Sequence, residues 1–192
     1  MTELSSGELI RQLQAGNLDA LGALYDRHSQ MVFRTALAIT GDREAAADLL
    51  QDVFLRMHRF ADRVDPARPL EPWLYRVTAN LACTWVKRQR WMRPLENLSE
   101  WLAGDSSQSP SQAAETAETW GHLTEALRKV QLSHRAILVM YYVNGLSLQE
   151  ISQVLEMPVG TIKSRLHYGR QSLKKEMEAQ DGILPEVQYE FT

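Results

Sequence analysis

Gly145-Leu146-Ser147-Leu148-Gln149-Glu150-Ile151-Ser152-Gln153-Val154-Leu155-Glu156-Met157-Pro158-Val159-Gly160-Thr161-Ile162-Lys163-Ser164-Arg165-Leu166 is the stretch whose pattern decides the fold. Ser147 and Glu150 have the S-x-x-E spacing of a capping box, in which each side chain satisfies a backbone N–H that the first helical turn leaves open. Ile151, Val154 and Leu155 follow at the spacing of one helical face. Glu156-Met157-Pro158 is a short turn, and Pro158 can open a second helix because its missing N–H costs nothing in a first turn. Ile162, Leu166 and Leu173, spaced by four and then seven, form the inner face of that helix. Its outer face carries Thr161, Lys163, Ser164, Arg165, His167 and Tyr168, donors suited to base edges and phosphates in a major groove. Cap, turn, inner stripe and polar face agree on a helix-turn-helix.

Working outward, helical periodicity fills Leu123 to Lys175 and residues 6 to about 93, and no long alternation of β-branched and polar residues predicts a sheet. Gly16-Asn17 and Thr40-Gly41-Asp42 break the first part into helices, with Asp42 placed to cap the next one. Asp62 to Pro69 reads as a loop from its Pro and Asp content, and a further helix opens near Pro72-Trp73. Tyr25, Val32, Phe33, Ala36, Leu37 and Ile39 are the expected apolar face of the second helix. Between the two helical parts, Gly104 to Gln112 is rich in Ser, Gln and Pro, the composition of a tether. The expected architecture is all-α: two small helical domains, 8–93 and 121–175, a flexible linker at 94–120, and an acidic tail at 176–192.

Charge is sorted along this layout. The net charge is −3, yet residues 72–95 hold no Asp or Glu while carrying Arg76, Lys87, Arg88, Arg90 and Arg93. Residues 157–175 are also acid-free and carry Lys163, Arg165, Arg170, Lys174 and Lys175. Two acid-free basic windows in a slightly acidic chain predict two local phosphate-facing surfaces. In the first window Leu74, Val77, Leu81 and Trp85 share one helical face; Arg76, Asn80, Thr84, Lys87 and Arg88 share the other. Cations interleaved with an amide and a hydroxyl suit melted or single-stranded DNA.

The same composition excludes other chemistry. One cysteine, Cys83, provides neither a disulfide framework nor a Cys-based zinc site, so a reducing cytoplasm is expected. His28, His58, His122, His134 and His167 lack metal-ligand spacing. No Gly-rich phosphate loop or nucleophile elbow is present, so neither an enzyme nor a cofactor, metal or small-molecule substrate is expected. The N-terminus lacks the pattern of a signal peptide, and no apolar run reaches membrane-spanning length.

Taken together, Asp48-Leu49-Leu50-Gln51-Asp52-Val53-Phe54-Leu55, Pro72 to Asn80, Gly145 to Ile151 and Pro158 to Leu166 resemble the extracytoplasmic-function sigma factors of bacterial RNA polymerase, over about residues 8–175 and in the family's order. The resemblance implies a sigma-two domain at 8–93. There Asp48, Leu49, Gln51, Asp52, Phe54 and Leu55 would dock on the clamp helices of the polymerase β′ subunit, Leu49 and Phe54 as apolar anchors. It also implies that loop 61–71 and the helix after it capture the unwound minus-ten element, through Arg76, Asn80, Thr84, Lys87 and Arg88. Asn80 falls where the family reads the non-template strand. The sigma-four domain would be 121–175, with Thr161, Lys163, Ser164, Arg165, His167 and Tyr168 reading the minus-thirty-five element. Implied partners are core polymerase (β′ clamp helices and β flap), promoter DNA and an anti-sigma factor. The tail from Gln180 to Thr192 extends beyond the minimal fold and receives no role. The other reading is a helix-turn-helix regulator whose N-terminal domain binds a ligand or dimerises; such a protein binds duplex DNA by itself.

Overall fold

In a computed structural model that describes residues 4–92 and 122–179, the described residues are helical and contain no strand. Helix α1, Ser6–Gln14, begins with a capping box that the periodicity did not single out: Ser5 Oγ accepts from the Glu8 N–H, and Glu8 Oε2 accepts from the Ser5 N–H. Helix α2, Asp19–Thr40, ends at Gly41, whose φ of 69° closes the last turn with an N–H···O bond to Leu37 of 2.7 Å. Asp42 then caps α3, Arg43–Arg59, by accepting from the Ala45 N–H at 2.9 Å. After a 3-10 turn, Ala61–Arg63, and a loop, α4 runs Glu71–Met92.

The second half opens with α5, 122–129, and α6, Leu132–Leu138, which continues into one π turn, Val139–Val143. Gly169, on the last helix of this half, allows that helix to lie close against α6: a Cβ there would approach His134 Cβ to 3.2 Å. The helix-turn-helix is α7, Leu148–Leu155, with the Ser147–Glu150 capping box made in both directions, and α8, Val159–Glu178. Pro158 stands just outside α8 as its N-cap residue. Glu156 ends α7 in the left-handed region, φ 52°, the one non-glycine residue with positive φ among those described.

Two apolar clusters form the core. One joins α1, α2, α3 and the start of α4 through Leu9, Ile10, Leu24, Val53, Met57 and Leu74. The other runs from the first half into the second: Ala36, Ile39, Leu49, Ala79 and Ala82 pack in one cluster with Ile137, Met140, Ile151 and Ile162. The inner line of α4 is Leu74, Tyr75, Thr78, Ala79, Ala82 and Val86, while Val77, Leu81 and Trp85 are only half-buried. The predicted apolar face was therefore rotated, because α4 packs against two bodies and not one. On α2, Val32, Ala36 and Ile39 are buried as expected; Phe33 and Leu37 are half-buried, and Tyr25 is exposed.

Candidate nucleic-acid interface

The loop between α3 and α4 is held from α1. Gln14 Nε2 donates to the carbonyls of Ala61 and Val64, at 3.0 and 2.9 Å. Gly7 lies so close to Pro66 that a Cβ would sit 2.3 Å from the Pro66 oxygen, so α1 reaches the loop only because residue 7 has no side chain. Within the loop Asp65 accepts from the Ala67 N–H and pairs with Arg68 at 3.2 Å. Buried His28 lies 3.1 Å from Ser6 Oγ, and burial holds its imidazole below the usual pKa. The loop is a shaped feature whose brace, Gln14, stands far from it in sequence.

Helix α4 presents Asn80, Thr84, Lys87 and Arg88 together on one exposed stripe, at i, i+4, i+7 and i+8. The Thr84 hydroxyl turns back and donates to the Asn80 carbonyl at 2.7 Å. Arg76 is not part of this stripe. Its Nε donates to Val154 O at 2.7 Å, Nη2 to Gln153 O at 3.0 Å, and Nη1 meets Glu156 Oε1 at 2.8 Å. A guanidinium offers a fork of donors, and the last turn of a helix offers carbonyls with no intrahelical partner, so Arg76 closes the C-terminus of α7. The expectation that it faces DNA alongside Asn80 does not hold for this arrangement. Arg90 and Arg93 of the same basic window, with linker residues 94–120, lie where no side chain is described.

On α8, Lys163, Ser164, His167 and Tyr168 are exposed, while Thr161 and Arg165 are half-buried at the edge of the stripe. Arg165 Nη1 lies 3.5 Å from Met157 Sδ, which ties its side chain across the turn. The Tyr168 ring lies 6.5 Å from that of His134 and 5.5 Å from that of His167. Partial burial, and then the nearby Arg165 cation, lower the His134 pKa. Ser164 donates back to Gly160 O at 3.0 Å. Sequence reasoning missed Gln171, exposed and 3.1 Å from His167 Nε2; the i+4 step 163, 167, 171 was the signal that would have found it.

Helix α3 carries a second kind of surface. Asp48, Gln51, Asp52 and Leu55 are exposed along one stripe, with Leu55 64% exposed. Leu49 and Phe54 are 5% exposed each, so neither can be the apolar anchor expected of it; both hold α3 against the core. Phe54 packs on the exposed Tyr25 of α2, ring centroids 4.9 Å apart, which brings an unforeseen aromatic to the edge of this stripe.

A capped helix-turn-helix, a second cation-bearing helix beside a shaped loop, and an acidic stripe with one exposed leucine are, among the described residues, the features of a helical DNA-binding protein. Residues 24–92 match the family described as Sigma-70 region 2, and residues 122–173 match Sigma-70 region 4. The chain is similar to the ECF RNA polymerase sigma factor SigL of Mycobacterium tuberculosis, 31% identical over 79% of this chain and 85% of that protein. It is 28% identical to the ECF RNA polymerase sigma factor SigW of Bacillus subtilis, over 91% of this chain and 98% of that one. The sigma factor RpoE of Bartonella quintana, solved in complex with the anti-sigma factor NepR, shares the fold: TM-score 0.64, 20% identity, 84% of this chain and 98% of that one. The chain belongs to the extracytoplasmic-function sigma factors of RNA polymerase. It is therefore a transcription-initiation factor that binds core polymerase and promoter DNA, and not an enzyme. Among the described residues no helix is long and apolar enough to cross a membrane.

Proposed function

We propose that the two regions divide the promoter between them as the charge pattern divides the chain. Residues 8–93 dock on polymerase and take the minus-ten element, residues 121–175 take the minus-thirty-five element, and 94–120 join them. The exposed stripe Asn80, Thr84, Lys87 and Arg88, beside the loop braced by Gln14, is the face for melted DNA: the amide both donates and accepts, and the cations attract phosphate without regard to sequence. The exposed part of α8, Lys163 to Tyr168 with Gln171, enters the major groove. Docking on the β′ clamp helices falls to Asp48, Gln51, Asp52 and Leu55, with Tyr25 beside them, and Leu49 and Phe54 act from beneath by keeping the stripe in register. The β flap is left to the second region, an anti-sigma factor is the regulatory partner, and the place of action is the cytoplasm, where the polymerase is.

The observation that carries this reading is the separation of charge: an acidic stripe on α3 and cationic stripes on α4 and α8, all exposed. Acidic residues repel DNA and suit a basic protein partner, whereas the cationic stripes suit phosphate. The test is run-off transcription with core polymerase. The wild-type chain is expected to convert core into a promoter-specific holoenzyme. Asp52→Arg with Leu55→Ala is expected to weaken core binding by about tenfold or more while leaving the helical circular dichroism intact. A variant that still docks at wild-type affinity removes α3 from the interface, and a wild-type chain that binds promoter duplex tightly without polymerase revives the regulator reading.

A further inference from the structure

Helix α1 meets the loop between α3 and α4 at both of its ends. Gln14, in the last turn, donates to the Ala61 and Val64 carbonyls at 3.0 and 2.9 Å. Gly7, in the first turn, leaves no room for a side chain against the Pro66 oxygen. The same first turn is tied to α2. Arg27 Nη1 donates to Ser6 Oγ at 3.2 Å, and Arg27 Nη2 donates to the Leu4 carbonyl at 2.7 Å. Ser6 Oγ also stands 3.1 Å from Nε2 of His28, which is 5% exposed. Helix α1 is thus bonded to α2 through residues 4 and 6, and it holds the loop through residues 7 and 14.

The proton count on Ser6 fixes the state of the imidazole. A serine hydroxyl has one proton and two lone pairs. Arg27 takes one lone pair, and the hydroxyl proton goes to Nε2 when that nitrogen carries none. Arg27, Ser6 and His28 then form one directed chain in which each donor has an acceptor. A second proton on the ring reverses the last link: Nε2–H becomes a donor, and the serine proton loses its partner. The groups that face the ring are Ser6 from α1, Glu71 from α4 and Arg27 from α2. Burial opposes the charged ring most; Glu71 favours the proton, Arg27 opposes it, and the pKa lies below the ordinary 6.5.

We propose that α1 is a strut that keeps the minus-ten loop in the shape that takes DNA, and that Ser6, Arg27 and His28 are its foot, which holds only while the His28 ring is neutral. The inference rests on the role given above to loop 61–71. His28 is a positioning residue: it acts on the loop through Ser6, Gly7 and Pro66 and needs no contact with DNA. The sign of the pH effect follows from linkage. Released into water, His28 takes a proton at the ordinary 6.5, more readily than it does in the foot, so acid favours release. The foot is at full strength above 6.5 and weakens as the pH falls below that value. Selection of the minus-ten sequence is therefore firm at neutral pH and relaxes in acid.

Two measurements on the full-length chain test this. In the first, hydrogen exchange read by mass spectrometry gives the protection of residues 5–15 and 61–70 at about pH 7.5 and about pH 5.5, corrected for the intrinsic exchange rate. Wild type is expected to lose about threefold or more of its protection in both segments together at the lower pH. His28→Gln keeps an acceptor near the place of Nε2 and does not titrate, so it is expected to remove the pH dependence. Should that variant not fold, Ser6→Ala cuts the chain from Arg27 to His28 and is expected to lower protection in both segments already at about pH 7.5. Equal wild-type protection at both pH values overturns the foot, as does a pH dependence that persists in His28→Gln. Loss in α1 with the loop unchanged overturns the strut. In the second measurement, run-off transcription with core polymerase compares a promoter with others changed at single minus-ten positions. Gly7→Ala is expected to narrow the preference among them by about threefold or more, and so is Asp65→Ala/Arg68→Ala, which alters the loop itself. A loop variant that narrows the preference while Gly7→Ala does not sinks the strut and leaves the proposed function standing. Exchange that behaves as expected, with a loop variant that leaves the preference unchanged, counts against the proposed function and leaves the strut standing.

Discussion

Helices α4 and α8 carry the same kind of charge, cations on acid-free stretches at 72–92 and 159–175, yet the fold uses them differently. On α8 the inner line, Ile162 and Leu166, is buried by α6 and α7, and the outer line from Lys163 to Gln171 is left to solvent. On α4 the inner line is divided between two clusters. Leu74 packs into the first cluster, Ala79 and Ala82 into the second, and Arg76 is drawn onto the end of α7. A helix packed on one side can keep its whole outer face for a ligand. A helix packed on two sides must share its polar residues between structure and function.

That comparison is broken most directly by removing the α8 cations. Lys163→Ala with Arg165→Ala is expected to weaken recognition of the upstream element by tenfold or more, since a base contact is worth about 1–3 kcal/mol and the two residues do not share a partner. Core binding should be unchanged. Arg165, tied across the turn by Met157, is expected to act at one base position. Lys163, exposed, is expected to act evenly across sequences and to lower the salt dependence by about one unit. Promoter affinity that survives the double change takes α8 off the DNA and erases the contrast with α4.

A smaller effect is expected on the other side of the comparison. Asn80→Ala removes one neutral amide, worth about 1 kcal/mol. It should act late, because an exposed base edge exists only after melting. The defect is expected at one position of the downstream element, in permanganate reactivity of the open complex, with closed-complex binding little altered. The loop beside it is braced by Gln14 and by the contact of Gly7 with Pro66, and Gln14→Ala provides the contrast: loss spread over several positions, with a lower melting temperature. If Asn80→Ala reproduces the Gln14→Ala pattern, its role is to hold the loop and not to read a base.

These assignments differ in how far they were legible beforehand. The helix-turn-helix was readable because everything that makes it is local: the Ser147–Glu150 cap, the short turn and the buried line of Ile151, Val154, Ile162 and Leu166 fall within about two dozen residues. Helicity throughout, the breaks at Gly16 and Gly41 and the Asp42 cap were local too. The readings of Leu49, Phe54 and Arg76 depart from the structure where distant segments meet. Leu49 and Phe54 lie beside the exposed Asp48 and Leu55 in sequence but point to the core, since a helical face turns by about 100° per residue and the pattern did not say which side α2 and α4 would cover. Arg76 belongs by spacing to the DNA stripe, and only the approach of α7, 78 residues away, gives it another partner. The same holds for Gln14, 47 and 50 residues from the carbonyls it braces.

The smallest effect sharpens the comparison instead of breaking it. Thr84 on α4 and Ser164 on α8 were both expected to act as donors to DNA, and both stand on exposed stripes. Their hydroxyls are nevertheless oriented in the same way: Thr84 donates to Asn80 O at 2.7 Å and Ser164 to Gly160 O at 3.0 Å, each four residues back. A hydroxyl has one proton. With that proton on a backbone carbonyl it retains only lone pairs, and a phosphate oxygen, which has no proton, cannot bond to them. To serve a phosphate either side chain must rotate and give up the bond it has, so the net gain is small. It can still accept from an exocyclic amine of cytosine or adenine. Ser164→Ala and Thr84→Ala are therefore expected to change promoter affinity by about twofold or less, within about 0.5 kcal/mol, on most sequences. Ala also raises helix propensity at both sites, which works against any loss of stability. Measuring both variants on promoters changed one base pair at a time separates the cases. A uniform tenfold loss for either would mean that the hydroxyl leaves its carbonyl and donates to phosphate. A loss confined to promoters with an amine at one position would make the hydroxyl an acceptor that reads a base. If that pattern appears for Ser164 and not for Thr84, the two helices differ in how they read as well as in how they are packed.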